Sequence, residues 1–417
     1  MKKTFTLTLS ILLVGIFFSY AQICDQFVGG YVPSYRDPAT VDYTKLSHAF
    51  YGFATTNAQG GLIVDQPVVF NSFKTASAGK QRFLSLAGGG GAEAFSSMTS
   101  SSASIQAFAD SCAKFCVAQN FQGIDVDWEG ITTKEDSVKY GNLMRALATA
   151  LHAKELQLVA TLGYGGYGGD FYNVGALKQA DWIQLMVYDQ TGTWADSPYG
   201  NHASYQMMLD AITYWTGRGY NDVSKIVIGL PFYGYKFNSA SGGLATAKTY
   251  SEIVAAYPNL GCDVDETNLT VFNGPETIRK KVQYVMTNGL KGVMIWEMGQ
   301  DISSSNSKSL LNTISKATCE LPAACNDIVS ALPPDIERQL IVLVKNPVTD
   351  ILSINVVNES DIILSVELLD NFGRVVMRRQ SSSSLSDVNI SEHAAGVYLV
   401  RTRLQNNKIC LNRIIKI

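Results

Sequence analysis

The chain has 417 residues, a formal net charge of −3 and 46% hydrophobic residues. That length accommodates one large domain and a small one, and the apolar fraction supports a full core, which excludes broad disorder. With no basic excess, nucleic acid is excluded as a partner.

The N-terminus reads MKKTFTLTLSILLVGIFFSYAQ. Lys2 and Lys3 form a positive region, and Leu7 to Phe18 is an apolar run. The run is short of the roughly 20 residues a membrane span takes. Ser19-Tyr20-Ala21 then stands where a signal peptidase cuts. Residues 1–21 are therefore predicted to be a signal peptide, removed after Ala21. The mature protein is expected to be secreted, extracellular or at the cell surface, with no membrane span and as a monomer.

Short apolar, β-branched or aromatic runs predict strands at Phe27–Val32, Leu46–Phe53, Arg82–Leu86, Gly123–Trp128, Gln157–Leu162, Trp182–Tyr188, Lys225–Phe232 and Gly292–Trp296. SASIQAFADSCAKFCVAQN, DSVKYGNLMRALATALHAKE and GPETIRKKVQYVMTNGL predict helices before the fourth, fifth and last of them. Strands alternating with helices argue for parallel β/α units. Eight such units predict a closed (β/α)8 TIM barrel over residues 22–328. LPAACNDIVSALPPDIE carries three prolines and places a linker at 329–340. Alternating strands broken by Asn346-Pro347 and Asn371-Phe372-Gly373 then predict a small all-β sandwich domain over 341–417.

Seven cysteines follow the predicted cut: Cys24, Cys112, Cys116, Cys262, Cys319, Cys325 and Cys410. In an exported protein they permit disulfides, whose pairing spacing alone does not choose, or they are buried thiols. No His/Cys cluster completes a metal-ligand set. The glycine runs AGGGGA and YGGYGGDF lack the Lys-Ser/Thr of a phosphate loop and read as close backbone packing. His48 reads as a satisfied barrel histidine, and the serine run at 381–386 as a loop.

FQGIDVDWEG, residues 121–130, carries the chemistry. Side chains alternate faces along a strand. Ile124, Val126 and Trp128 then meet the outer helices, while Asp125, Asp127 and Glu129 line the barrel interior. Burying unpaired carboxylates costs several kcal/mol each, so a structural strand should not hold three. Mutual repulsion should push at least one pKa up and leave a protonated acid near neutral pH. Glu129 falls at the C-terminal end of the strand, where barrel enzymes keep their active sites. Such carboxylate sets serve glycoside hydrolysis, in which one acid protonates the leaving oxygen. Spacing leaves open whether Asp127 is nucleophile, base or helper.

Here the sequence resembles the family-18 glycoside hydrolases, the chitinases. QGIDVDWE (122–129) is similar to their D-G-x-D-x-D-x-E signature. LSLAGG (84–89), LMVYDQ (185–190) and GVMIWEMGQD (292–301) resemble the S-x-G-G, M-x-Y-D and tryptophan-bearing motifs of the third, sixth and eighth strands. GYVPSY (30–35) and HAFYGF (48–53) resemble the first and second. The resemblance implies that Glu129 is the proton donor and that the nucleophile is the substrate's own 2-acetamido oxygen. Asp127 would hold the acetamido N–H, and Asp125 would tune Asp127. Tyr188 would donate to the acetamido group. Asp189 and Met186 would shape the sugar pocket and Trp296 its floor, with Tyr31 and Phe53 around it. No metal or organic cofactor is implied.

Gln122, Ala87, the run Gly89-Gly90-Gly91 and Tyr235 depart from the family pattern. Gln122 lies on the other parity from the acids, so its loss should not remove the proton donor. Few residues lie between the seventh strand and the helix before the eighth, so no large α+β insertion is expected. The groove should then be shallow and the cleavage endo-type. Asn346-Pro347, Asp370 to Arg374, Ala395 to Tyr398 and Arg413 to Lys416 resemble the type IX secretion sorting domain of Bacteroidetes, which implies that secretion machinery as a partner. The runner-up for that domain is a carbohydrate-binding sandwich, which lacks a planar row of aromatic residues here. The resemblances together imply a secreted chitinase acting with retention on chitin or chitooligosaccharides. The alternatives are an endo-β-N-acetylglucosaminidase acting on N-glycans and a non-catalytic chitin-binding lectin.

Overall fold

A computed structural model of the chain describes residues 26–166, 169–319, 342–344, 348–356, 362–369, 375–380, 387–405 and 409–416. Eight parallel strands form a barrel: Phe27–Pro33, His48–Thr56, Gln81–Ala87, Gly123–Asp127, Gln157–Gly163, Trp182–Met186, Ile226–Pro231 and Gly292–Trp296. They pair in that order, and the first also pairs with the eighth, Phe27 opposite Gly292, so the sheet closes. Each of the eight strand patterns in the sequence forms a strand of this TIM barrel.

Helices pack outside. Ser102–Gln119 is capped by Ser101, whose side chain accepts from Ser104 N, and ends on Asn120 in the left-handed region. Lys134–His152 is capped by Thr133 and carries Glu135 and Asp136 in its first turn, where the helix dipole favours acids. Pro275–Thr287 precedes the eighth strand. Strand alternation divides the apolar residues into two cores. Ile124, Val126 and Trp128 join the outer one with Phe95, Tyr140 and Leu143. Phe27, Phe50, Phe83, Trp182 and Met294 fill the barrel itself. His48 belongs to this plug, its ring 4.1 Å from Phe27 and its Nδ1 2.7 Å from Ser47 Oγ. Burial pushes its imidazole down to about 4.

No large α+β insertion was expected before the eighth strand, and a small one is present. Tyr233–Phe237, Ala245–Thr249, Glu266–Thr267 and Thr270–Val271 form a four-stranded antiparallel sheet, joined by the helix Tyr250–Ala256. They fit because two of the strands have only two residues each. Of the two readings of the cysteines, buried thiols or disulfides, the three described ones are thiols. Cys112 and Cys116 are buried free thiols and Cys262 is free. Cys112 and Cys116 stand one turn apart on one helix, where Cβ vectors run parallel rather than toward each other.

In the C-terminal region, Val342–Val344, Ile351–Val356 and Asp387–Asn389 form one antiparallel sheet; Ile363–Leu369, Val375–Gln380, Gly396–Leu404 and Ile409–Lys416 form another. Leu352, Ile354 and Val388 of the first share a core with Val366, Leu368, Met377 and Val400 of the second. The predicted signal peptide, the linker, Asn346-Pro347, the Asp370 to Arg374 turn and the serine run lie outside the described residues. Among the described residues no helix is long and apolar enough to cross a membrane.

Candidate active site

The fourth strand brings its acids inward as alternation requires. Asp125 is fully buried and Asp127 is 4% exposed. Among the described residues no cation pairs with Asp125; three hydroxyls donate to it instead. Tyr31 Oη and Ser85 Oγ reach Oδ2 at 2.7 and 2.6 Å, and Thr161 Oγ1 reaches Oδ1 at 2.7 Å. Gln184 Nε2 backs the group, donating to Tyr31 Oη at 2.7 Å and to Thr161 Oγ1 at 3.1 Å. Side chains from the first, third, fifth and sixth strands thus converge on one carboxylate of the fourth. Burial still pushes Asp125 up, to about 6.

Asp127 differs. Its Oδ1 is buried and finds no hydrogen-bond partner among the described residues. Burial, then the nearby charges of Glu129 and Asp125, raise its pKa well above the carboxylate range. Glu129 lies two residues beyond the strand's end, half-buried. Burial, then the charge of Asp189, raises it too. The site therefore favours the protonated form of these carboxyl groups more than water does.

Tyr188 and Asp189 follow the sixth strand. Tyr188 is buried, and burial followed by the charge of Asp127 raises its hydroxyl well above the usual value, which keeps it a donor. Asp189 adopts φ 62° and turns its carboxylate toward the insertion sheet. Tyr233 and Tyr235 donate to its Oδ1 at 2.6 and 2.7 Å, and His202 Nδ1 lies 3.6 Å away. Burial alone would raise this carboxyl; the neighbouring His202 and the hydrogen bonds from Tyr233 and Tyr235 hold it below its ordinary value. Its side chain is 46% exposed, so the anion is open to solvent.

Trp296 ends the eighth strand, its ring 5.7 Å from Tyr31 and 5.7 Å from Phe53. Met186 and Trp296 both pack against the aromatic plug. Tyr31 is placed differently from a pocket wall: 1% exposed, it stands behind Asp125 with its hydroxyl on that carboxylate. Of the departures, Gln122 lies at the opposite end of the strand, where its Oε1 accepts from Arg82 N at 2.7 Å. Ala87 keeps φ 72°, a conformation suited to glycine. Tyr235 supplies a hydroxyl to Asp189.

Several residues of the site escaped the sequence reading. Ser85 belongs to LSLAGG (84–89), on the inward parity of the third strand. Thr161 and Gln184 are polar residues on the inward parity of the fifth and sixth strands, and that parity was the available signal. Trp194 follows on the loop after Asp189, 41% exposed. A Cβ added at Gly192 would meet both its ring and that of Tyr235, so the two aromatics flank one backbone segment.

A family model described as glycosyl hydrolases family 18 matches residues 27–301, and one described as a secretion system C-terminal sorting domain matches residues 346–416. A class V chitinase of Arabidopsis thaliana is 26% identical over 328 residues, which cover 66% of this chain and 86% of the relative. Among solved structures, the family-18 chitinase ChiB from the chitin utilization locus of Flavobacterium johnsoniae matches with TM-score 0.60 and 29% identity, covering 70% of this chain and 94% of its own. A mutant class V chitinase from Nicotiana tobaccum in complex with NAG4 matches with TM-score 0.62 and 25% identity, covering 71% and 99%.

Proposed function

The chain belongs to glycosyl hydrolase family 18 through residues 27–301, and from that membership we propose a secreted chitinase that hydrolyses β-1,4-linked N-acetylglucosamine with retention of configuration. The observation that carries the reading is the state of the three acids: Asp125 satisfied by hydroxyls, Asp127 left with a free buried oxygen, and Glu129 raised at the strand's end.

Glu129, protonated, gives its proton to the glycosidic oxygen as the C1–O bond breaks. The acetamido carbonyl oxygen attacks C1 and forms an oxazolinium ion, so no protein nucleophile is consumed. The unpartnered Oδ1 of Asp127 supports its role as acceptor for the acetamido N–H, the one polar group the substrate would bring to that depth. Tyr188 donates to the acetamido oxygen. The ionised Glu129 then takes a proton from water, which opens the ring from the original face. Trp296 floors the sugar, and Trp194 and Asp189 bound it on the insertion side. Tyr31 acts through Asp125 rather than on the sugar.

Endo-type cleavage is supported by Gly89, Gly90 and Gly91, which bring no side chains to the rim beside Glu129; a Cβ at Gly90 would meet nothing within 4 Å. An initial product series dominated by disaccharide would overturn that part. Secretion is supported by the sorting-domain match over residues 346–416.

The test is turnover of chitin oligosaccharides by the full chain beside Glu129→Gln. The variant should lose about 10²–10⁴-fold in kcat while still binding. A wild type that binds without cutting would make the protein a lectin. Glycan released from a glycoprotein, with chitin untouched, would favour the N-glycan alternative.

A further inference from the structure

Glu129 stands beyond the hydrogen-bonded part of its strand. The ladder of the fourth strand ends at the pairs Ala87–Asp127 and Val126–Ala160. Trp128, 1% exposed, therefore presents a buried carbonyl outside the sheet. Such a group must find a donor. Tyr172 provides it, its hydroxyl donating to Trp128 O at 2.8 Å.

Tyr172 is itself held from two sides. Its ring meets Tyr140 edge-on at 5.1 Å and Trp215 at 6.1 Å. The turn before it, Gly169–Phe171, is tied to the helix Tyr205–Gly217 and the residue after it. Tyr214 Oη donates to Asp170 Oδ1 at 2.6 Å, Arg218 Nη2 donates to Asp170 O at 2.9 Å, and Arg218 Nη1 donates to Gly169 O. The Trp128 carbonyl and the Glu129 N–H belong to one planar peptide. Fixing the carbonyl fixes the plane from which the Glu129 side chain departs.

We propose that Tyr172 is a positioning residue for Glu129: its hydroxyl anchors the acid's peptide to the helix after the sixth strand. This rests on the reading of Glu129 as proton donor. Displacing a catalytic group by a fraction of an ångström costs rate rather than affinity.

The molecule supplies its own control. Tyr140, the ring that Tyr172 packs against, is fully buried, and its hydroxyl has no hydrogen-bond partner among the described residues. Tyr172→Phe and Tyr140→Phe therefore delete the same atom from one aromatic cluster, with and without an anchor. On chitin oligosaccharides, Tyr172→Phe should lower kcat about 10- to 100-fold with KM changed less than about twofold. Tyr140→Phe should leave both near wild type. Amide hydrogen exchange at residues 128–130 should quicken in Tyr172→Phe only, and this reads the anchor without any substrate. Equal kcat losses in the two variants, or a lower Tm in Tyr172→Phe with kcat intact, would overturn the proposal. If the wild type cleaves nothing, the functional reading fails. Unaltered exchange at 128–130 would then show separately that the anchor fails too.

Discussion

Tyr31→Phe deletes one hydroxyl and keeps the ring packed on Phe50, from which it stands 4.8 Å away. The lost group donates to Asp125 at 2.7 Å and accepts from Gln184 at 2.7 Å. A hydrogen bond to a charged group contributes about 1.5–3 kcal/mol and one to a neutral group about 0.5–1.5 kcal/mol. The ionised form of Asp125 therefore loses about 1–1.5 kcal/mol more than the protonated form, or about one pKa unit. The direction is upward, from a value already raised to about 6 against 3.8 in a free side chain. Because the folded value lies above the unfolded one, Asp125's contribution to stability is full below 3.8 and is lost as pH rises through about 6. In the variant that window should extend about one unit higher. The assay is kcat/KM against pH, whose ascending limb reports ionisation of the Asp125–Asp127 pair in the free enzyme. The limb should move up by about one unit, with a Tm lowered by the partners left to Thr161 and Gln184. An unmoved limb with a uniformly lower plateau would show that Tyr31 only fills space, and the network argument would be wrong.

Trp194→Ala should raise KM for long oligosaccharides about two- to tenfold and leave kcat nearly unchanged, since a stacked ring contributes about 0.5–1.5 kcal/mol of binding; an equal loss on the shortest substrates would move Trp194 away from the outer groove. Lys281 is buried, with Nζ on Ala203 O and Asn273 Oδ1, and burial lowers its amine from 10.5 to about 7. Between those values the unfolded chain binds a proton that the native state does not, so this group makes stability rise with pH. Urea midpoints of Lys281→Met, compared with wild type from pH 7 to about pH 9, should lose that slope; an unchanged slope would mean the amine stays charged. Deleting residues 341–417 should trap active enzyme in the periplasm, and normal secretion of the truncated chain would refute the sorting role.

The barrel was legible because its signals are local. Each strand is a short apolar run, and the parity of Asp125, Asp127 and Glu129 against Ile124, Val126 and Trp128 places three acids inside without tertiary knowledge. The support of those acids was not legible. Ser85, Thr161 and Gln184 are unremarked polar residues in three separate strands, and only the register of the closed sheet brings them to Asp125 or its partners. Trp194 sits in a loop with no periodicity to read. The insertion was missed because strands of two residues leave no alternation pattern, and a count of residues was a poor substitute for their turns. For Cys112 and Cys116 the export context left buried thiol and disulfide both open, and the helix decides it by directing both thiols into the apolar core.

The network around Asp125 also constrains how the enzyme acquires activity. Its members are contributed by the first, third, fourth, fifth and sixth strands, and the contact from Gln184 to Tyr31 closes 153 positions of chain. Contacts of that separation form late, after most loop entropy has been lost. The Trp296 floor arrives later still in synthesis, on the strand that seals the barrel against Phe27. Each inner acid therefore becomes competent only when the whole ring is shut. A refolding population should regain turnover with the same rate constant as its tertiary signal, with no half-folded species that is half active.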